Sequence, residues 1–149
     1  MAKPFALEVV MDLSRKQADA AVADLAAKRA GQQAAVDTLK MLETCRQDYQ
    51  TRFERSSLSG IGHEQWRNYH EFLHKIDLAL TQQKQVCAKC SIECQKSVEK
   101  WQLARIKLKS FGVLHERHLH GEARRVSQQE QREQDESSAA GHQRRQNVS

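Results

Sequence analysis

Cysteine is the residue type in this sequence whose spacing most suggests chemistry. Cys87, Cys90 and Cys94 stand three and four residues apart, so they share one face of a helix and could ligate a metal ion or an iron–sulfur cluster. A tetrahedral zinc site needs a fourth ligand, and Cys45 could supply it if another helix lies alongside. The three cysteines also fall on the helix-packing positions described below, where a free thiol packs as a small apolar group. We therefore predict core packing and no metal site, with a zinc-binding hairpin as the alternative.

Histidine pairs offer the second possible site. His70 and His74 stand one helical turn apart, but Glu71 lies outside the H-E-x-x-H arrangement of zinc peptidases. Surface histidines on a polar flank are the simpler interpretation. The sequence also has no glycine-rich phosphate loop and no nucleophile elbow. We predict that the protein is not an enzyme and that it carries no cofactor.

The composition favours long helices over a globular domain. Apolar residues make up 39% of the 149 residues and charged residues 29%, with one proline and six glycines. A compact domain of strands and loops needs turn residues about every ten positions, and this sequence lacks them. The sequence also contains no run of about 18 apolar residues that could span a membrane. The predicted class is all-α, with helices sharing a narrow apolar contact.

The first half predicts one helix from about residue 4 to residue 55, with Pro4 in its first turn, where a missing N–H costs nothing. An apolar column recurs every seven residues, and Gln32 and Arg46 interrupt it. Its apolar members are Met11, Ala18, Leu25, Leu39 and Phe53. Val22 and Val36 are predicted to be the matching partner positions. A turn follows over residues 56–62, which hold three serines and two glycines.

The second half carries the clearest periodicity and predicts a helix from about residue 63 to residue 125. Steps of three and four residues starting at Trp66 meet apolar residues or cysteine at all but two of the positions. These positions are Trp66, Tyr69, Leu73, Ile76, Leu80, Gln83, Cys87, Cys90, Cys94, Ser97, Trp101, Ala104, Leu108 and Phe111. A sustained 3.5-residue period makes helices supercoil around a partner. We predict a long antiparallel two-helix coiled-coil hairpin over residues 1–126, followed by a flexible, disordered tail over residues 127–149, where almost nothing is apolar.

Two groups of residues suggest binding surfaces. The first is basic and accounts for as much charge as the whole chain, whose formal charge is +5. It consists of Lys100, Arg105, Lys107, Lys109, Arg117, Arg124 and Arg125, set against Glu116 and Glu122. We interpret it as a docking end for an acidic partner or for phosphates, with a solvated helix face as the alternative. DNA binding ranks lower, because a basic zipper places its basic residues ahead of the seam.

The second group is apolar and lies outside the predicted columns. Leu42 and Tyr49 flank the column of helix 1, and Phe72 and Ala79 flank the column of helix 2. In a hairpin closed near Gly60, all four lie in the half nearest the turn. Exposed apolar residues grouped in this way indicate a protein-binding patch. A wider core with poorly coiled helices is the alternative.

These residues resemble the family of the flagellar type III export protein FliJ. The resemblance rests on short motifs along both predicted helices and the turn, with the tail unmatched. The motifs are Ala6-Leu7-Glu8 with Asp12-Leu13, Leu39-Lys40-Met41-Leu42 followed by Tyr49, Gly60-Ile61, Trp66-x-Asn68-Tyr69-x-x-Phe72, and Trp101.

The resemblance implies a cytoplasmic hairpin, peripheral to the inner face of the cell membrane, that resembles the central stalk of rotary ATP synthases. Members of the family insert the end carrying both termini into the hexameric ring of the flagellar export ATPase. They also contact the export gate membrane protein and shuttle empty export chaperones. The family's gate-binding residues correspond to Leu42, Tyr49, Phe72, Ile76 and Ala79, and this sequence departs from the usual residues at Thr38, Cys45 and Gln83. No nucleic acid partner is expected from it; a nucleic-acid-binding or scaffold coiled coil is the alternative function.

Overall fold

The computed structural model describes residues 3–148 as two long helices, α1 (Lys3–Leu58) and α2 (His63–Asn147), joined by a short connection. The described residues contain no strand, which confirms the predicted all-α class. The connection is tighter than the predicted turn over residues 56–62. Gly60 adopts a φ of 84°, which glycine reaches without steric cost, and its amide donates to the Ser57 carbonyl at 3.2 Å.

Contacts divide the chain into two compact units: one is Ala18–Leu103, and the other comprises the residues up to Gln17 and those from Ala104 onward. In the first unit α1 and α2 run antiparallel. Ion pairs join Lys28 to Glu93 at 3.9 Å and Arg46 to Asp77 at 2.6 Å. The α2 residue number falls as the α1 number rises, as a hairpin requires.

The contact between the helices in this unit, called the seam below, follows steps of three and four residues on both helices. On α2 every predicted seam position from Tyr69 to Trp101 is buried or half-buried, whereas Trp66 is exposed. On α1 the buried and half-buried seam positions are Ala18, Ala21, Leu25, Gln32, Ala35, Leu39, Leu42, Arg46, Tyr49 and Phe53. The column through Leu25 and Phe53 is therefore confirmed.

The second column of α1 differs from the prediction. Val22 is exposed, and the alanine one position earlier, Ala21, takes the seam position instead. Ala35 is buried one position before Val36, and Val36 itself is half-buried. The same column continues seven residues further to Leu42, so Leu42 lies within the seam and not outside it. Alanine lets two helices approach closely, which places the bulkier valines at the edge of the contact.

In the second unit the same alternation continues along α2 through Ala104, Leu108, Phe111, His115 and His118, all of which are half-buried. On α1 its buried and half-buried residues are Leu7, Met11 and Ser14.

Beyond His120, every described residue of α2 is exposed, yet the helix continues to Asn147. The structure is thus helical where the sequence predicts a flexible tail over residues 127–149; Ser149 lies outside the described residues. Gln, Glu, Arg and Ala are good helix formers. This helical segment therefore depends on local propensity rather than on packing, and its flexibility in solution stays a prediction.

Candidate protein-binding surface

The seam of the Ala18–Leu103 unit has two different flanks. On one flank Arg46 Nε donates to Asp77 Oδ1 at 2.6 Å. On the other, the rings of Tyr49 and Phe72 lie 4.4 Å apart. Because Phe72 and Asp77 are five residues apart on α2, they fall on opposite sides of the seam residues between them. We call the Asp77 flank the polar side and the Phe72 flank the groove side.

Seven-residue columns extend each flank along the hairpin. The groove side consists of Gly31, Thr38, Cys45 and Arg52 on α1, with Phe72, Ala79, Val86 and Glu93 on α2. The polar side consists of Val22, Arg29, Val36, Glu43 and Gln50 on α1, with His70, Asp77 and Lys84 on α2. One flank is therefore small and apolar over most of its length, and the other is mainly charged or polar.

An aromatic stack closes the turn end of the seam. The Tyr69 ring lies 3.6 Å from the Phe53 ring at an angle of 10° and 5.2 Å from the Tyr49 ring at 13°. Tyr69 is buried, and this burial raises the pKa of its phenol above the ordinary value. The Tyr49 ring links this stack to Phe72, which is 42% exposed. A fixed aromatic core thus supports an exposed aromatic side chain.

The five residues assigned to the gate patch fall in one stretch of the hairpin, α1 residues 42–49 against α2 residues 72–79. Ile76 is buried, as its seam position predicts, and Leu42 and Ala79 are half-buried. Tyr49 is half-buried at a seam position as well, so the prediction that it flanks the seam is wrong. The large exposed side chain of the five is Phe72.

Two exposed residues, one on the groove side and one at its edge, were not predicted to take part in binding. Met41 is 64% exposed and Cys45 is exposed. With Tyr49 and Phe72 they line an opening of about 630 Å³ beside the seam. The sequence signal was present, because Met41 lies one position before Leu42. Met41 is recognised as lying beside the groove side only when Leu42 is assigned to the seam.

The cysteines lie as the packing prediction requires. Cys94 is buried and Cys87 and Cys90 are half-buried at consecutive seam positions; all four thiols are free. The Arg46–Asp77 contact places Cys45 level with residues 76–79 of α2, about 12 Å or more along the axis from Cys87. Cys45 therefore cannot complete a zinc site with the other three. Within residues 3–148, no cluster of three His, Cys, Asp or Glu side chains is arranged to hold a metal ion.

The seven basic residues of the predicted docking end are all exposed. Lys100 lies near the end of the Ala18–Leu103 unit, and the other six belong to the second unit. Between Arg117 and Arg124, His118 Nε2 lies 3.3 Å from Glu122 Oε1 but without hydrogen-bond geometry. Neither described helix has a stretch apolar enough to cross a bilayer.

Comparison with known proteins gives consistent matches along the chain. The sequence model of the family described as "FliJ: Flagellar FliJ protein" matches residues 3–147. A "Flagellar FliJ protein" of Salmonella typhi is 26% identical over 136 residues, which covers 91% of this chain and 92% of the relative. One of Escherichia coli (strain K12) is 28% identical over 117 residues, 78% of this chain and 80% of the relative.

Proposed function

Because this chain belongs to the FliJ family of flagellar proteins, and so is a component of the flagellar export apparatus, we propose that it is a stalk-like adaptor of that apparatus. In this proposal it binds the hexameric export ATPase ring, the export gate membrane protein and export chaperones, and acts by binding rather than by catalysis. It works in the cytoplasm, at the inner face of the membrane, and reaches the membrane through its partners.

The exposed Phe72 ring is the observation that best supports gate binding. Its position is fixed by the Tyr49 ring at 4.4 Å, so little side-chain entropy is lost when a partner covers it. Aromatic anchors held in this way often carry most of the free energy of an interface. Ile76 is buried and Leu42 is half-buried in the seam along the same stretch of the hairpin.

The basic stretch of α2 supports docking to the ATPase ring. Exposed lysine and arginine side chains attract an acidic surface and raise the association rate. A stalk that contacts the ring subunits unequally favours some nucleotide states over others, because a ligand shifts a conformational population by its differential affinity. ATP hydrolysis would then rise without any catalytic residue on this chain.

Gate binding is tested by Phe72→Ala, with Leu78→Ala as the matched control, since Leu78 is also exposed on α2 but points away from the groove side. We expect Phe72→Ala to weaken binding of the cognate gate protein by about tenfold or more, roughly 1.4 kcal/mol. Leu78→Ala should change it by less than about twofold. Circular dichroism should show equal helix content in both. Unchanged affinity for Phe72→Ala removes this residue from the site.

Ring binding is tested by titrating the cognate export ATPase with this chain. We expect a saturable rise in ATP hydrolysis together with more hexamer by sedimentation. Lys107→Glu with Lys109→Glu should shift the titration to higher concentration, whereas Lys84→Glu on the polar side should not. A flat response with no association contradicts the stalk role. Binding to random duplex DNA whose affinity falls steeply as the salt concentration rises would instead support a nucleic-acid-binding coiled coil.

A further inference from the structure

We propose that the groove side of the hairpin, from Phe72 to Val86 on α2, binds an amphipathic α-helix of about four turns whose apolar stripe is flanked by acidic residues. The inference rests on the proposed function, because Phe72 and Ala79 also belong to the predicted gate patch. It extends that patch along α1 to Gly31 and along α2 to Val86, and it specifies the chemistry of the partner.

On the groove side, α1 contributes small residues. Gly31, Thr38 and Cys45 face the α2 column of Phe72, Ala79 and Val86 in the register set by the interhelical contacts. A Cβ added at Gly31 would meet nothing within 4 Å. The Thr38 hydroxyl donates to the Ala34 carbonyl at 3.0 Å, so its donor is already satisfied. This stretch therefore has space for a partner and little unmet polar demand.

The spacing of the apolar residues matches that of a helix as the occupant. Phe72, Ala79 and Val86 repeat every seven residues, about 10.5 Å along the axis of α2. A helix that presents residues i and i+7 repeats at the same distance, whereas a strand presents one face about every 6.6–6.8 Å. From Phe72 to Val86 the groove spans about 21 Å, which matches roughly fourteen helical residues. A third helix here would pack on the pair as helices do in bundles.

The charged residues along the edges of the groove determine which charge the partner helix should carry beside its apolar stripe. On the outer edge of α2, Lys75 and Lys89 are exposed and form no ion pair within residues 3–148. The corresponding edge of α1 carries Ala34, Met41 and a single acid, Asp48. A helix lying in the groove therefore gains by placing acidic residues along its α2-facing edge. Lysine rims act mainly on association rate and orientation, so the apolar stripe must supply most of the affinity.

The polar side offers no equivalent surface. Glu43 and Lys84 are exposed there, and the Asp77 carboxylate already accepts a hydrogen bond from Arg46. A helix on that side would have to cover these charged groups without apolar contacts in return. The two flanks thus give a built-in comparison between a binding face and a control face.

The test uses the full chain and synthetic helix-stabilised peptides of fifteen residues as probes. The first peptide carries a leucine stripe with glutamates along one flank, and the second replaces those glutamates with lysines. Cys45 is the exposed thiol of the four, so its alkylation rate, read by mass spectrometry, reports coverage of the groove. Fluorescence polarisation gives the affinities. We expect the acidic peptide to slow alkylation of Cys45. Its affinity for the chain should be at least about tenfold higher than that of the lysine peptide.

Two matched valines test the location. Val86, on the groove side, is 46% exposed, and Val22, on the polar side, is 48% exposed. We expect Val86→Glu to weaken binding of the acidic peptide by about tenfold, because it puts a carboxylate in the apolar stripe. Val22→Glu should change it by less than about twofold. Equal affinity for the two peptides, equal losses from the two variants, or unprotected Cys45 would each overturn the proposal.

The cognate gate protein separates this inference from the proposed function. If the wild-type chain binds the gate while neither peptide binds and Val86→Glu leaves gate affinity unchanged, the adaptor function stands and the helix groove is refuted. If the acidic peptide protects Cys45 while the gate does not bind, the groove stands and gate binding is refuted.

Discussion

Replacing Tyr69 by alanine should remove the centre of the aromatic stack at the turn end of the hairpin. Tyr69 is 7% exposed, and its ring is stacked between those of Phe53 and Tyr49. Truncation of a large buried aromatic side chain costs about 3–5 kcal/mol. Each aromatic pair adds about 0.5–1.5 kcal/mol to what area burial alone provides. The two-helix contact can relax to fill part of the space, so we expect a loss of about 3 kcal/mol.

Urea unfolding followed by circular dichroism at 222 nm measures this loss. Two variants control for trivial effects. Tyr69→Phe keeps the rings stacked and should cost less than about 1.5 kcal/mol. Trp66→Ala removes a larger ring that is 48% exposed, and should cost about 1–2 kcal/mol because only part of its surface leaves water on folding.

The order of the three variants is the decisive result. A loss below about 1 kcal/mol for Tyr69→Ala, or a loss no larger than that of Trp66→Ala, would contradict the assignment of Tyr69 to the core. The register of the seam at this end would then need revision, since that register alone places Tyr69 between the two rings.

Three further predictions follow from burial. The pKa of Tyr69 is raised by desolvation, so the neutral phenol is favoured in the folded state. This stabilisation is fully present below pH about 10 and is lost as the pH rises through the higher folded-state pKa. Absorbance titration at 295 nm of the Tyr49→Phe variant should therefore show tyrosinate forming at higher pH in the folded chain than in the urea-unfolded chain. Cys45 should react with a thiol reagent at once and buried Cys94 only as the hairpin opens, so equal rates would contradict the seam. Deleting residues 121–148, none of which is buried, should lower the helical signal but leave the denaturation midpoint of the remaining chain within error.

The fold of α2 could be predicted because its seam residues are large. Leucine, isoleucine and aromatic side chains at steps of three and four leave one consistent choice of face, and the cysteines fit the same face. Trp66 is the exception: it has the right spacing, but it lies in the first turn of α2, beyond the last residues of α1 that pack in the seam.

The face of α1 was harder to predict because alanine fills much of its seam. An alanine-rich helix offers several similar faces, and a valine, being more hydrophobic than alanine, is the residue that a sequence pattern assigns to the seam. The structure places Ala21 and Ala35 inside and leaves Val22 exposed. The error then propagated, because it made Leu42 and Tyr49 look like surface residues.

The groove side illustrates what the sequence of one helix cannot specify. Phe72 and Val86 on α2 are unremarkable as single exposed apolar residues, and so is Cys45 on α1. They become one surface only when the Arg46–Asp77 and Tyr49–Phe72 contacts set the register of the hairpin. A shift of seven residues would keep apolar groups in the seam but would bring Phe72 level with Leu42 and Val86 level with Lys28. The binding face is therefore a property of the register, and the polar interhelical contacts that fix the register are as important to it as the apolar side chains that line it.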